Sequence, residues 1–245
     1  FGIAQIEDRY FQNNVIDFDK DKYDKSGYRL FGGSVSFNGS TLNSRQFPIQ
    51  GAREALVAQI FTGNESFRPG VNSENKKPVK EKHSWLQLSY MKEKYHKMGA
   101  NWILGWYLDA VYASKNFSEN YTATMMQASE FAPTAHSKLT YNEAFRANQY
   151  VAAGIRPIYR LNQMFHVRGE FYGFLPIFPI ERNSINKAYY GKAFSRFEYL
   201  GEISVVCQLP FGAISAYVNH YSSPRREWNV GLTLGWQLFN YRFIE

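Results

Sequence analysis

The stretch from Trp228 to Asn240, WNVGLTLGWQLFN, decides how the chain is read. Its even positions are Trp228, Val230, Leu232, Leu234, Trp236 and Leu238; its odd positions are Asn229, Gly231, Thr233, Gly235 and Gln237. Alternation with period two puts each set on its own face of a β-strand. A soluble sandwich strand alternates in the same way, but a strand of this length with Trp near both ends also fits the aromatic girdles of a membrane barrel. The same arithmetic recurs upstream. Between Ala100 and Ser114, Trp102, Leu104, Trp106, Leu108, Ala110 and Tyr112 share a face opposite Gly105, Tyr107 and Asp109. Ile203, Val205, Cys207 and Leu209 oppose Glu202, Ser204 and Gln208; Phe165, Val167, Phe171 and Leu175 oppose His166, Arg168, Glu170 and Tyr172.

Strands are expected at roughly 1–11, 28–43, 52–62, 84–95, 100–114, 147–160, 165–178, 197–209, 212–221 and 228–240, ten in all. Their connectors alternate in length: HKMG, LNQM and PFG are tight, whereas 115–146 and 179–196 are long and SSPRRE is polar. Outer-membrane barrels have this rhythm, because periplasmic turns are short and external loops are free to grow. With the tight turns on the periplasmic side, an even strand count brings both ends of the barrel to that side. A connector as long as 115–146 is out of place in a compact soluble domain, where structureless loops beyond about 12–15 residues are uncommon.

Composition narrows the class. The 245 residues are 44% apolar, 18% aromatic and 20% charged, which excludes a disordered chain. No apolar run approaches the roughly 20 residues of a spanning helix. Cys207 is the single cysteine, so neither an internal disulfide nor a cysteine-rich metal module is available. A formal charge of +7 permits attraction to nucleic acid or to anionic lipid and does not choose between them. The opening FGIAQIEDRYFQ has no basic start or apolar segment of a signal peptide, so a processed chain or part of a longer one is expected. No fixed-period repeat, low-complexity tract or linker divides the sequence, and 1–245 reads as one domain.

Several phrases then carry a resemblance. EAFRANQYVAAGIRPIYRLNQMFHVRGEFYGFLPI, FEYLGEISVVCQLPFGAISAYVNHYSS and the terminal WNVGLTLGWQLFN, with FGGSVSFNGS near residue 31, resemble the carboxyl-terminal region of patatin-like phospholipase proteins of Bacteroidota. In that family a patatin hydrolase precedes a small periplasmic domain and a barrel similar to the outer-membrane assembly and two-partner secretion superfamily, usually of sixteen strands. The resemblance therefore implies an outer-membrane anchor that helps export or orient an upstream hydrolase. Ten readable strands depart from sixteen, which implies the later part of such a barrel or a smaller variant. The superfamily's VRG occurs here as Val167, Arg168 and Gly169 inside a strand pattern, not in a long loop, so only a place in the barrel lumen is carried over to Arg168.

The chemistry expected of the chain is accordingly structural. A patatin hydrolase needs Ser on a G-x-S-x-G turn and an Asp base. Gly32 to Ser36 has the wrong fifth residue and lies in a strand, and no Asp-Gly pair occurs, so no catalytic residue and no cofactor is expected in this chain. Asp17, Asp19, Asp21 and Asp24 open like a calcium loop, but Lys22 and Tyr28 stand where Gly and Glu are required. A solvated loop neutralised by Lys20, Lys22 and Lys25 is expected instead. His83, His96, His136, His166 and His220 have no pair at ligand spacing, so no metal site is expected. The sequons at Asn38, Asn64, Asn116 and Asn120 carry no information in a bacterial outer membrane.

Arg156, Arg160, His166, Arg168, Glu170, Glu202 and Gln208 fall on the polar face and are expected to form a charge-cancelling lumen network, with a selectivity role as the functional alternative. Trp102, Trp106, Trp228 and Trp236 are expected to anchor in lipid. Lys76, Lys77, Arg225 and Arg226 are expected on external loops, as solvated charge or as partners of lipid and lipopolysaccharide phosphates, and not as a nucleic-acid surface, because they lie away from aromatic stripes. The fold class expected is an all-β, antiparallel transmembrane barrel of the bacterial outer membrane. The alternatives are a small-solute channel or accessory barrel of an envelope complex, and a soluble secreted sandwich.

Overall fold

The computed structural model describes residues 1–12, 23–70, 73, 77–223 and 228–236. The chain is all-β. Ten strands make one antiparallel sheet: β1 (Gly2–Tyr10), β2 (Asp24–Ser40), β3 (Gly51–Arg68), β4 (Val79–Lys97), β5 (Trp102–Ala113), β6 (Gln149–Arg160), β7 (Phe165–Pro176), β10 (Glu198–Leu209), β11 (Gly212–Tyr221) and β12 (Trp228–Trp236). Each strand pairs with its neighbour in sequence, and only the β8–β9 hairpin (Ile180–Arg182 with Ala188–Tyr190) intervenes, between β7 and β10. β1 and β12 are the two ends of the sheet, and no ladder joins them among the described residues.

The register fixes two faces. Ile3, Phe31, Val35, Leu56, Ile60, Leu86, Leu88, Leu104, Val151, Ile155, Phe171, Ile203, Val205, Ile214, Val230, Leu232 and Leu234 project from one side, and all are exposed. The other side carries Glu93, Tyr95, Arg156, Arg168, Glu170, Tyr172 and Glu202, all buried. This is a water-soluble sheet turned inside out: Leu232 is 80% exposed while Arg168 is 1% exposed. No second sheet covers the apolar side among the described residues, so the sandwich alternative has no counterpart in the fold.

The connectors fill the inner side. At one end, 98–101, 161–164 and 210–211 are tight, and 41–50 folds inward so that Leu42 and Ile49 pack on Tyr95, Ile103 and Ile158. At the other end the connector between β5 and β6 builds α1 (Tyr121–Gln127) and a single 3-10 turn (Glu143–Phe145). Helix α1 is too short to hold itself. Its cap residue Asn120 accepts from the Ala123 N–H at 2.9 Å and donates to the Tyr10 hydroxyl at 2.8 Å, so capping and docking on β1 are one interaction. Gln127 donates to Asp8 of β1 at 2.7 Å, while His136 shares a hydrogen bond with Tyr221 of β11 at 2.8 Å. One connector thus reaches strands near both ends of the sheet, which requires the sheet to curl around it. The connector expected as a plain external loop is the plug of the inner face.

Strands β3 and β4 run further than their sequence pattern indicated, and β2 begins four residues earlier and ends three residues sooner. At 62–68 and 79–84 the outward residues are Thr62, Asn64, Ser66, Lys80, Lys82 and Ser84. The ladder continues there without its apolar face, and the alternation that reveals a strand is lost.

Candidate functional site

The inner face between β4, β6 and β7 gathers the expected lumen residues. Arg156 donates from Nε to the Tyr172 hydroxyl at 2.7 Å and from Nη1 to Glu93 and to the Tyr95 hydroxyl. Arg168 donates from Nε to Glu170, from Nη1 to the Pro48 carbonyl at 2.8 Å and from Nη2 to the Tyr95 hydroxyl at 2.9 Å. Tyr172 donates to Glu170, and Tyr95 donates to Glu93 at 3.1 Å. Two guanidinium groups meet two carboxylates, and the net charge is zero. The Arg156 guanidinium also lies over the Tyr107 ring at 4.7 Å. Spent on one another in this way, the charges fill space and fix register.

The other members of the expected network stand apart. Glu202 is buried next to Asn219, which donates to it at 3.4 Å, and lies directly across the ladder from Glu170. His166 is buried, and its Nε2 has no hydrogen-bond partner. Gln208 is half-buried and donates to Ser44 and to the Gly212 carbonyl; Arg160 is half-buried at the tight-turn end of β6. Glu93 and Tyr95 complete the network and escaped the sequence reading. The signal was present, since His83, Trp85, Glu93 and Tyr95 share a parity on β4 opposite Leu86, Leu88 and Tyr90.

Above the network, Phe131 and Phe145 of the plug enter an aromatic layer with Tyr107, Tyr150, Tyr172 and Phe174; the Phe131 and Phe174 centroids are 5.7 Å apart. Below it, Pro48 and Ile49 close the tight-turn end. Among the described residues, hollows lie toward β1–β5. One of about 320 Å³ is lined by Ala55, Val57, Gln87, Ser89 and Asp109 and roofed by Ser129 and Glu130 of the plug. Another, of about 330 Å³, lies beside Ala4, Gly32, Ser34, Gln59 and Phe61. Ser34 sits mid-strand in β2, away from any helix, as its sequence context indicated.

The surface residues divide. Trp102 and Trp228 are exposed on the outer face, and Trp106 is partly covered there. Trp236 pairs with Gly212 in the ladder, but its side chain lies outside the described residues. Lys77 is exposed on the β3–β4 connector, while Lys76, Arg225 and Arg226 lie outside the described residues, as do Asp17, Asp19 and Asp21. Asp24 is not part of a solvated loop: it opens β2, is buried, and accepts from Gln12 and from the Gly70 N–H at 2.7 Å.

A second cluster lies at the plug end of β3 and β4. Glu65 is buried and accepts from Tyr28 at 3.2 Å; its other oxygen is 2.8 Å from His83 Nε2. Lys115 sits over the Trp85 ring at 4.8 Å, and burial pulls its ammonium down to about 8 against the opposing attraction of Glu65 and Asp8. No described helix is long and apolar enough to cross a membrane, which says nothing of strands. Comparison with family models, curated proteins and solved structures finds no match for this chain.

Proposed function

We propose that this chain is a transmembrane β-barrel of a bacterial outer membrane whose work is to anchor and not to conduct. The observation that carries the reading is the inversion of the sheet: apolar side chains lie exposed on the outer face of every sheet strand, while Glu93, Arg156, Arg168, Glu170 and Glu202 lie buried on the inner face. A monomer in water rarely exposes so continuous an apolar surface, whereas hydrocarbon requires it. The band has edges. On β4 the outward Leu86, Leu88 and Tyr90 are bounded by Lys82 and Lys92, and on β3 the outward Leu56, Ala58 and Ile60 are bounded by Asn64 and Glu54. Lys92 and Tyr90 both donate to Glu54 at the lower edge, a polar cluster suited to a headgroup level.

The aromatic layer and the neutralised network leave the middle of the inner face filled, which favours an anchor over a solute channel. The finer reading, an anchor for a patatin-like hydrolase, rests on the phrases around residues 143–178 and 197–223 and on the terminal strand. A G-x-S-x-G turn followed by an Asp-Gly pair upstream in the same reading frame is expected, and a frame without them removes the hydrolase from the proposal.

Paired charge insertions test the membrane reading. Leu88→Arg places a cation in mid-band, at a cost of about 2–4 kcal/mol in lipid, and is expected to abolish membrane extraction and heat-modifiable migration. Gln87→Arg, one residue away on the inner face beside a hollow, is expected to be tolerated. In a soluble protein the order reverses, since exposed Leu88 would accept a charge freely. That reversed order would sink the proposal.

A further inference from the structure

We propose that Glu65, Glu81 and His83 form a binding site for a divalent transition-metal ion of the zinc class. Glu65 and Glu81 are direct partners in the β3–β4 ladder, and His83 follows Glu81 on the same face. Residues opposed in this way hold their Cβ atoms about 4.5–5.5 Å apart, and two carboxylates there repel unless a cation lies between them. Each of the three residues offers a donor atom, and the three atoms lie within 4.8 Å of one another.

The imidazole is set beside the same carboxylates. His83 is 4% exposed, and its Nδ1 has no hydrogen-bond partner although Nε2 meets Glu65. Nε2 is the nitrogen that faces the carboxylates, and it ligates in the tautomer that carries its proton on Nδ1. One imidazole and two carboxylates, with water in the fourth position, make a donor set zinc accepts, and the histidine favours it over calcium. Glu81 is exposed and gives the ion a way in. The outward neighbours Asn64, Ser66, Lys80 and Lys82 put the site beyond the apolar band, in reach of water. The sequence could not show this set, because its members meet only through the ladder. The proposal does not depend on the membrane reading.

Lys115 supplies the counter-test. Its ammonium is held beside Glu65 by the Trp85 and Tyr28 rings, so it competes with a bound cation. The experiment titrates the folded full chain with Zn²⁺ alone and reads binding by calorimetry. One ion per chain is expected, weakened about tenfold or more in Glu81→Gln and in His83→Gln, and tightened in Lys115→Met. Absence of stoichiometric binding by the wild type overturns the proposal, as does wild-type affinity in Glu81→Gln. Because Glu81 is exposed, that variant folds whatever becomes of His83→Gln, and its result decides.

Discussion

Arg168 is the residue on which the inner face turns. Its guanidinium ties the β2–β3 connector, through the Pro48 carbonyl, to β4 through Tyr95 and to Glu170 on its own strand. Replacing it leaves Glu170 buried with Arg156 and Tyr172 as its remaining partners. Breaking a buried pair from one side costs about 3–5 kcal/mol, because the surviving charge is left uncompensated. Arg168→Met is therefore expected to lower stability by that order in urea unfolding from detergent, while Arg168→Met combined with Glu170→Met recovers part of the loss. Equal losses in the single and the double variant would mean that the network contributes packing and not charge pairing. The inner-face place of Arg168 was legible because His166, Arg168, Glu170 and Tyr172 alternate with apolar residues. Its partners were not, since Pro48 and Tyr95 lie far away in sequence and the alternation says nothing of which strands meet across the curl.

At the level of elements, strands with an apolar outer face were legible and everything that departs from that face was not. The strands β5, β6, β7, β10 and β11 lie within a few residues of their expected bounds, whereas β3 and β4 continue into polar stretches that no alternation marks. The connector 114–148 gave only its length, because what folds it is contact with distant strands. Its docking is the element-scale prediction. His136 binds Tyr221 and lies tilted against the Tyr217 ring at 5.7 Å, and burial holds its imidazole below the ordinary value of 6.5. A group lowered in the folded state favours folding while it is neutral, so its contribution is complete above the ordinary value and is lost as pH falls below it. Proteolysis of residues 132–142 is expected to accelerate between about pH 7.5 and about pH 5.5, with the sheet intact. In His136→Asn that dependence should flatten. An unchanged profile in the variant would assign the pH response to another group.

For the whole molecule, curl and filling together decide whether anything passes. The sheet curls around its own connector, and the middle of its inner face is filled by a neutral Arg and Glu network under an aromatic layer. The hollow between β3, β4 and β5 meets Ser129 and Glu130 of the plug, and Ser118 donates to or accepts from Tyr28 at 2.9 Å where β2 meets the connector. The network fills the inner face toward β6 and β7 and the plug lies over the hollow beside it, so removing the network alone leaves the plug in place. Arg168→Ala alone should not open a path across a planar bilayer, since Phe131, Phe145 and Phe174 still close the aromatic layer. Replacing residues 116–146 by a short Gly and Ser linker removes that layer's Phe131 and Phe145 and uncovers the hollow, and steady conductance is expected to appear. Charge then identifies the path: with the plug gone, Asp109 faces the opening from the wall of the first hollow and should favour cations. Steady conductance in the intact chain would reverse the assignment, making the inner face a passage and the Arg and Glu network its constriction.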